Sequence, residues 1–240
     1  MNGSELVLVI GGSSGVGLAV ARRCLADGAS VVIAGRSPER LDAARTELGD
    51  PDQLDAVAVD IGDRDQVAAV VVQVGKLRHL VVTAADLPYG PVLTLDEDAI
   101  MRGVRSKLLG PLFAIQHAAP RMDAGGSITL TSGIAAYRPI VGGSVAATVN
   151  GAIESMVRAL ALELAPIRVN AVSPGWVDTP IWDQLMSPDV KQQRFTEMGA
   201  RLPGGRTATP NDIANTIAFL IGDTFTTGTV LHAEGGQLLV

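Results

Sequence analysis

LVLVIGGSSGVGLAV, residues 6–20, decides the fold. Leu6–Ile10 is apolar at every position, with no polar alternation, which predicts a strand covered on both faces. Gly11, Gly15 and Gly17 follow at once, and beyond them Leu18, Ala21 and Leu25 recur at helical spacing toward the sheet. A strand, a glycine-rich turn and a helix in direct succession open a doubly wound parallel sheet. Glycine is needed where the chain turns sharply and its backbone approaches a pyrophosphate, while the helix N-terminus adds free N–H groups and a positive dipole end. Gly11, Ser13, Ser14, Gly15, Val16 and Gly17 are therefore the first candidates for holding a dinucleotide.

The rest of the chain keeps that rhythm. Short β-branched runs at Ser30–Ala34, Ala56–Val59, Leu80–Thr83, Ser127–Thr131, Arg168–Val172 and Val230–His232 alternate with helical stretches. The class is α/β, a doubly wound parallel seven-stranded sheet in one domain over residues 1–240. Gly28 closes the first helix, Ser37-Pro38 supplies a cap and a first-turn proline for the next, and Asp63 with Gln66 resembles a capping box. The stretch 180–210, rich in Pro, Gly and Met, departs longest from the pattern and is expected to form a mobile, substrate-facing flap.

Composition narrows the partners. A net charge of −6 gives a nucleic acid no electrostatic support, so a small-molecule substrate is the expectation. No apolar run reaches the roughly 18 residues that span a bilayer, and the start MNGSELVLVIGG enters a strand with no basic leader, which predicts a cytoplasmic protein without a membrane partner. The single cysteine, Cys24, permits no internal disulfide and no thiolate metal cluster, and on the first helix it reads as a small buried hydrophobe. No metal is expected.

The spacing of Gly11, Gly15 and Gly17 resembles that of the short-chain dehydrogenase/reductase family. So do Asp60-Ile61 after the third strand, Arg168-Val169-Asn170-Ala171-Val172-Ser173-Pro174-Gly175 with Thr179 after the sixth, and Glu234-Gly235-Gly236 near the end. The resemblance spans nearly the whole chain. It implies a Rossmann fold in which Asp60 holds the adenine amino group, with Ile61 and Ala84 also at the cofactor. It further implies that the segment Pro174 to Thr179, with Gly175 and Val177, contacts the nicotinamide carboxamide. A homodimer or homotetramer built on the helices near 105–120 and 150–165 is implied as well.

Charge argues the coenzyme. A site selecting NAD sets a carboxylate at the end of the second strand, where it bonds the ribose 2′-hydroxyl and repels a 2′-phosphate. This chain has Ala34-Gly35-Arg36-Ser37 there, with no acid. Arg36 offers a planar fork to phosphate oxygens and Ser37 begins a helix whose first N–H groups face the same way, which predicts NADP(H).

The family's proton-transfer residues are a Ser, a Tyr, a Lys four residues after it, and an Asn on the preceding long helix. Aligned on the Asn150-Gly151-Ala152 segment, the lysine position is Asn150, the tyrosine position Ala146 and the serine position Gly133, with Ser132 one residue off. Thr83-Ala84-Ala85-Asp86 stands for the family's Asn-Asn-Ala-Gly, and Lys107 falls on the helix asparagine. Lys and Asn have thus exchanged places. A cation then enters the cavity from the opposite helix, with Lys107 as electrophile or proton donor and Ser132 or Thr131 as its oxygen partner. The alternative is a lysine neutralised by Asp86 or reaching solvent. Tyr137, His79, His117 and His232 read as packing or structural residues, and Trp176, Trp182, Met186 and Met198 either line an apolar pocket beside the flap or belong to the core.

Two classes of function remain. One is an NADP(H)-dependent oxidoreductase acting on a carbonyl or hydroxyl with an altered proton relay. The other is an NADP(H)-binding protein without hydride transfer: a redox sensor, a partner subunit, or a non-redox lyase or isomerase.

Overall fold

The chain builds one all-parallel sheet from β1 (Leu6–Ile10), β2 (Ser30–Gly35), β3 (Leu54–Ala58), β4 (Leu77–Val82), β5 (Met122–Thr131), β6 (Arg168–Pro174) and β7 (Val230–Ala233). These elements come from a computed structural model that describes residues 5–240, apart from the side chain of Gln184. The strand order is β3-β2-β1-β4-β5-β6-β7. Val7 pairs with Val31 on one side of β1 and with His79 on the other, so the winding reverses between β1 and β4. At such a reversal the connections leave to opposite faces and open a crevice at the carboxyl ends of the strands.

Alternation within the strands sorts the core into two layers. Leu8 and Ile10 of β1 join Leu80 and Ile128 beneath α3 (Arg64–Val74), α5 (Gly110–Ala118) and α6 (Ser144–Glu163). Val7, Val9 and Ile33 meet α1 (Gly15–Ala26), α2 (Pro38–Glu47) and α8 (Pro210–Gly222) on the other face. Between β4 and α5 runs α4 (Glu97–Val104), which passes through a π-helical turn at Arg105–Leu109 into α5. The remaining helix, α7 (Pro188–Arg201), follows a 3₁₀ turn at Pro180–Gln184. By length and composition α6 is apolar enough to cross a membrane, yet its Val149, Ile153 and Val157 are buried, as in a core helix.

The helix signals work as read, with one change. Gly28 takes a φ of +87° after α1, and the Ser37 hydroxyl accepts the Arg40 N–H at 3.2 Å. Asp63 accepts the N–H groups of Asp65 and Gln66, and the Gln66 side-chain Nε2 donates back to the Asp63 carboxylate at 3.0 Å, but Gln66 Oε1 accepts the N–H of Asp60 at 3.0 Å instead of the N–H of Asp63, which goes to the Asp60 carbonyl. That bond ties the end of the β3 loop to α3. Strand limits shift at the ends: β5 begins at Met122 because Leu77 pairs with Met122 across a register irregularity, in a stretch whose Asp123, Gly125 and Gly126 carry no strand preference.

His79 and Cys24 are structural. His79 lies inside β4, shares a 2.8 Å hydrogen bond with Ser127, and burial pushes its imidazole down to about 4. Burial likewise pushes the Cys24 thiol up to about 12, which leaves it inert to oxidation near neutral pH. Replacing Ser127 by alanine is expected to cost about 1 kcal/mol, read as a lower denaturant midpoint with an unchanged slope. Because the folded imidazole titrates below the unfolded one, His79 contributes stability above about pH 6.5 that is lost as pH falls toward 4.

Candidate functional site

A groove of about 590 Å³ follows the carboxyl ends of β1, β2 and β4. Its floor is the glycine turn. Gly11 has a φ of +95°, and a Cβ on Gly17 would stand 2.1 Å from the Gly11 carbonyl oxygen, so no larger residue fits where α1 starts. The N-cap Ser14 makes no side-chain cap and the first turn of α1 holds no acid, which leaves its N–H groups and dipole to the groove. Ser13, Ser14, Gly15, Val16, Arg36, Ser37, Asp60, Ile61, Ala84 and Thr179 all line it. The Asp60 carboxylate accepts the Gly62 N–H at 2.9 Å, a turn that holds the acid at the groove wall.

Arg36 does not stand open. Its guanidinium bonds the Asp86 carboxylate at 2.6 Å across the groove, from the end of β2 to the loop after β4, with both side chains substantially exposed. Asp86 is therefore not the partner of Lys107.

Lys107 reaches no solvent either. The π-helical turn carries it inward, where Nζ donates to Thr131 Oγ1 at 3.2 Å and to the Ser132 carbonyl at 3.5 Å. Burial alone pushes its ammonium down to about 8. Of the two proposed oxygen partners Thr131 meets the lysine through its hydroxyl, whereas the Ser132 hydroxyl turns away and donates to Glu154 Oε1 at 2.6 Å. Glu154 is itself buried and also accepts the phenol of Tyr137, a bond that raises the phenol's pKa. Tyr137 meets the ring of His232 edge-on at 5.0 Å, so both pack together as expected.

Gly133, Ala146 and Asn150, the positions set against the family's Ser, Tyr and Lys, lie close to this cluster. A Cβ on Gly133 would come within 2.9 Å of Asn150 Nδ2, so glycine at 133 and asparagine at 150 are sterically matched. Asn150 Oδ1 is buried with no partner among the described residues. Neither Lys107 nor Ser132 lines the groove; the wall nearest them is Ser106, whose hydroxyl accepts the Asp86 N–H at 3.0 Å.

Beyond Thr179 the two walls differ. Pro174, Gly175 and Val177, expected at the nicotinamide, are not among the residues that line the groove: Gly175 packs against Glu234 and Gln237, and Val177 is buried. Pro180, Ile181 and Leu185 line it from the 180–210 segment, and Leu87 and Tyr89 from the loop after β4. Sequence reasoning passed over Leu87, Tyr89 and Ser106. Their signal was position alone, within seven residues of the end of β4 for two of them and beside Lys107 for the third. Trp176, Trp182 and Phe195 form a ring cluster with centroids 4.7–5.4 Å apart. Trp176 and Met198 also line a second cavity of about 460 Å³ against α7.

A family model described as enoyl-(acyl carrier protein) reductase matches residues 11–237. A short-chain dehydrogenase/reductase of Stachybotrys chlorohalonatus is 34% identical over 254 residues, covering 98% of this chain and 97% of that protein. Among solved structures, a small-chain dehydrogenase in complex with NADPH is 31% identical with a TM-score of 0.85, covering 98% of this chain and 99% of that one. The MalC reductase/Diels-Alderase from Malbranchea aurantiaca is 30% identical with a TM-score of 0.91, covering 98% and 97%.

Proposed function

Since the chain belongs to the short-chain dehydrogenase/reductase family, we propose that it is an NADP(H)-dependent oxidoreductase that interconverts a carbonyl and a hydroxyl on an apolar small molecule. The observation that carries the coenzyme is Arg36, with no acid at the end of β2, on the wall of a groove whose glycine floor admits no side chain. The neighbour solved with NADPH supports the same choice. NADP(H), when bound, supplies or accepts the hydride. Gly11 to Gly17 and the first turn of α1 hold the pyrophosphate, Arg36 and Ser37 the 2′-phosphate, and Asp60 with Ile61 the adenine. Ala84 and Thr179 flank the nucleotide, while Pro174, Gly175 and Val177 fix the Thr179 segment from behind.

The proton relay is altered in this reading, because Ala146 and Asn150 carry no acid and Gly133 no hydroxyl. Lys107 is its cation. Buried behind the groove wall, it acts through Thr131 Oγ1 and the Ser132 segment instead of touching substrate. The protein is taken to work in the cytoplasm as a homodimer or homotetramer through the helices near 105–120 and 150–165, and residues 180–210 form the substrate-facing flap.

A second reading, an NADP(H)-binding protein that transfers no hydride, is favoured by Ala146 and Asn150 and by the reductase/Diels-Alderase name of one neighbour. Two measurements decide. Thermal shift with NADPH, NADP, NADH and NAD tests the site, since a ligand of the native state raises its melting temperature. Steady NADPH oxidation with a panel of ketones, aldehydes and quinones favours the oxidoreductase; tight binding with no turnover favours the second reading.

Asp86 competes with the phosphate for Arg36. An exposed ion pair of this kind contributes about 0.2–1 kcal/mol, so Asp86→Asn is expected to tighten NADPH binding by up to about fivefold and to leave NADH nearly unchanged. Equal changes for both coenzymes in a titration would assign Asp86 another task.

A further inference from the structure

Hydride addition to a carbonyl leaves an alkoxide, and an alkoxide formed in a cavity needs a proton from a group in that cavity. Five ionisable side chains line the groove: Arg36, Arg40, Asp60, Asp86 and Tyr89. A guanidinium does not release its proton near neutral pH. The carboxylates are engaged, Asp86 by Arg36 and Asp60 by the Gly62 N–H. The aliphatic hydroxyls of the groove are far weaker acids than a phenol. Tyr137, the chain's other tyrosine, gives its hydroxyl to Glu154 and lies outside the groove.

Resting on the oxidoreductase reading, we propose that Tyr89 is the catalytic acid, its phenol delivering the proton to the substrate oxygen. The loop that carries Tyr89 is anchored on both sides. The Asp86 N–H donates to Ser106 Oγ at 3.0 Å, the Ser106 hydroxyl donates back to the Asp86 carbonyl at 3.3 Å, and the Gly90 N–H donates to the Gly142 carbonyl at 2.9 Å. Pro88 and Val145 both crowd Gly103, where a Cβ would lie 2.9 Å and 3.0 Å from them. The loop therefore abuts the first turn of α6, one residue before Ala146. Tyr89 thus brings a phenol to the groove lining on a loop that packs beside the helix position set against the family's tyrosine. Tyr89 makes no hydrogen bond to another described residue, and Leu87, Ile181 and Leu185 surround the groove near it with apolar surface. Burial raises its pKa, which keeps the phenol protonated and able to donate.

The step balances. Bound NADPH would supply the hydride to the carbonyl carbon and would be released as NADP; as the C=O π pair moves to oxygen, the Tyr89 O–H bond breaks and the substrate O–H forms. Water then returns a proton to the phenolate.

The test compares wild type with Tyr89→Phe on the best unactivated ketone of the panel, with NADPH thermal shift as the check on folding and coenzyme binding. The expected result is a kcat lower by about 100-fold with the NADPH shift unchanged. A fall of less than tenfold overturns the assignment while the oxidoreductase reading stands. No wild-type turnover with any carbonyl removes that reading and Tyr89's role with it. Should the Phe variant lose its NADPH shift, Tyr89→Trp, which keeps a ring but no acid, is measured by the same criteria.

Discussion

Arg36→Ala is expected to weaken NADPH binding by about 10- to 100-fold and to change NADH affinity little. A hydrogen bond to a charged group is worth about 1.5–3 kcal/mol, and each 1.4 kcal/mol is a factor of ten in affinity. Arg36 can spend that on a phosphate because its present partner holds it weakly: the bond to Asp86 is short, 2.6 Å, but both side chains are in water's reach. Three features bear on the size of the loss. Arg40 also lines the groove and offers a substitute cation, which pulls the loss toward the lower figure. The Ser37 hydroxyl already donates to Glu39 at 2.6 Å and accepts the Arg40 N–H, so Ser37 serves the phosphate through the helix start it caps, which the variant keeps. Asp86, left unpaired in the variant, repels the 2′-phosphate and pulls toward the higher figure. Calorimetric titration of both coenzymes checks this, and the double variant with Asp86→Asn separates lost attraction from new repulsion. An equal loss for NADH and NADPH would mean that Arg36 shapes the groove instead of reading the phosphate.

What the sequence disclosed follows from the range of each interaction. The strand, glycine turn and helix at 6–20 are local, and the clash of a Gly17 Cβ with the Gly11 carbonyl is a contact six residues apart, so the motif carries its own geometry. The helix caps at Ser37 and Asp63 are equally local; the reciprocal box between Thr209 and Asp212 that starts α8 was just as legible and went unread. The site's polar partners are not local. Arg36 finds Asp86 fifty residues away, and Ser132 finds Glu154 twenty-two residues away. The family resemblance singled out Lys107 and Ser132, but nothing in the sequence says that the lysine meets the Ser132 carbonyl while the serine hydroxyl faces Glu154 on a different helix. Tyr89 escaped notice because no spacing rule attaches to it; its place depends on a loop pinned to Ser106 and Gly142 at once. The 180–210 segment shows the same limit. Composition marked residues 180–210, yet Lys191, bonded at 2.8 Å to both Asp178 and Asp183, ties α7 to the segment before it in a way no composition reveals.

Lys107→Met is expected to stabilise the fold by roughly 3 kcal/mol at pH 7 while lowering turnover. The ammonium is pushed from 10.5 down to about 8 by burial alone, with no carboxylate in contact to offset it. Each pKa unit corresponds to about 1.36 kcal/mol, so below pH 8 the folded chain carries the full cost of holding that charge. Between about pH 8 and 10.5 the unfolded chain binds the proton and the folded one does not, so wild-type stability rises with pH through this window. The methionine variant lacks that slope and starts from the higher level. Methionine matches the lysine stem in volume, and the Thr131 hydroxyl keeps its bond to the Val82 carbonyl at 3.2 Å, so the substitution leaves no donor stranded. Urea unfolding of both proteins at pH 7 and above pH 9 reads the difference directly. A variant less stable than wild type, or a wild-type curve flat across that range, would mean that the lysine is neutral or compensated and supplies no field to the relay. A buried charge whose removal raises stability and lowers turnover has its task at the site. The gain in stability and the loss of turnover must therefore come from the same substitution.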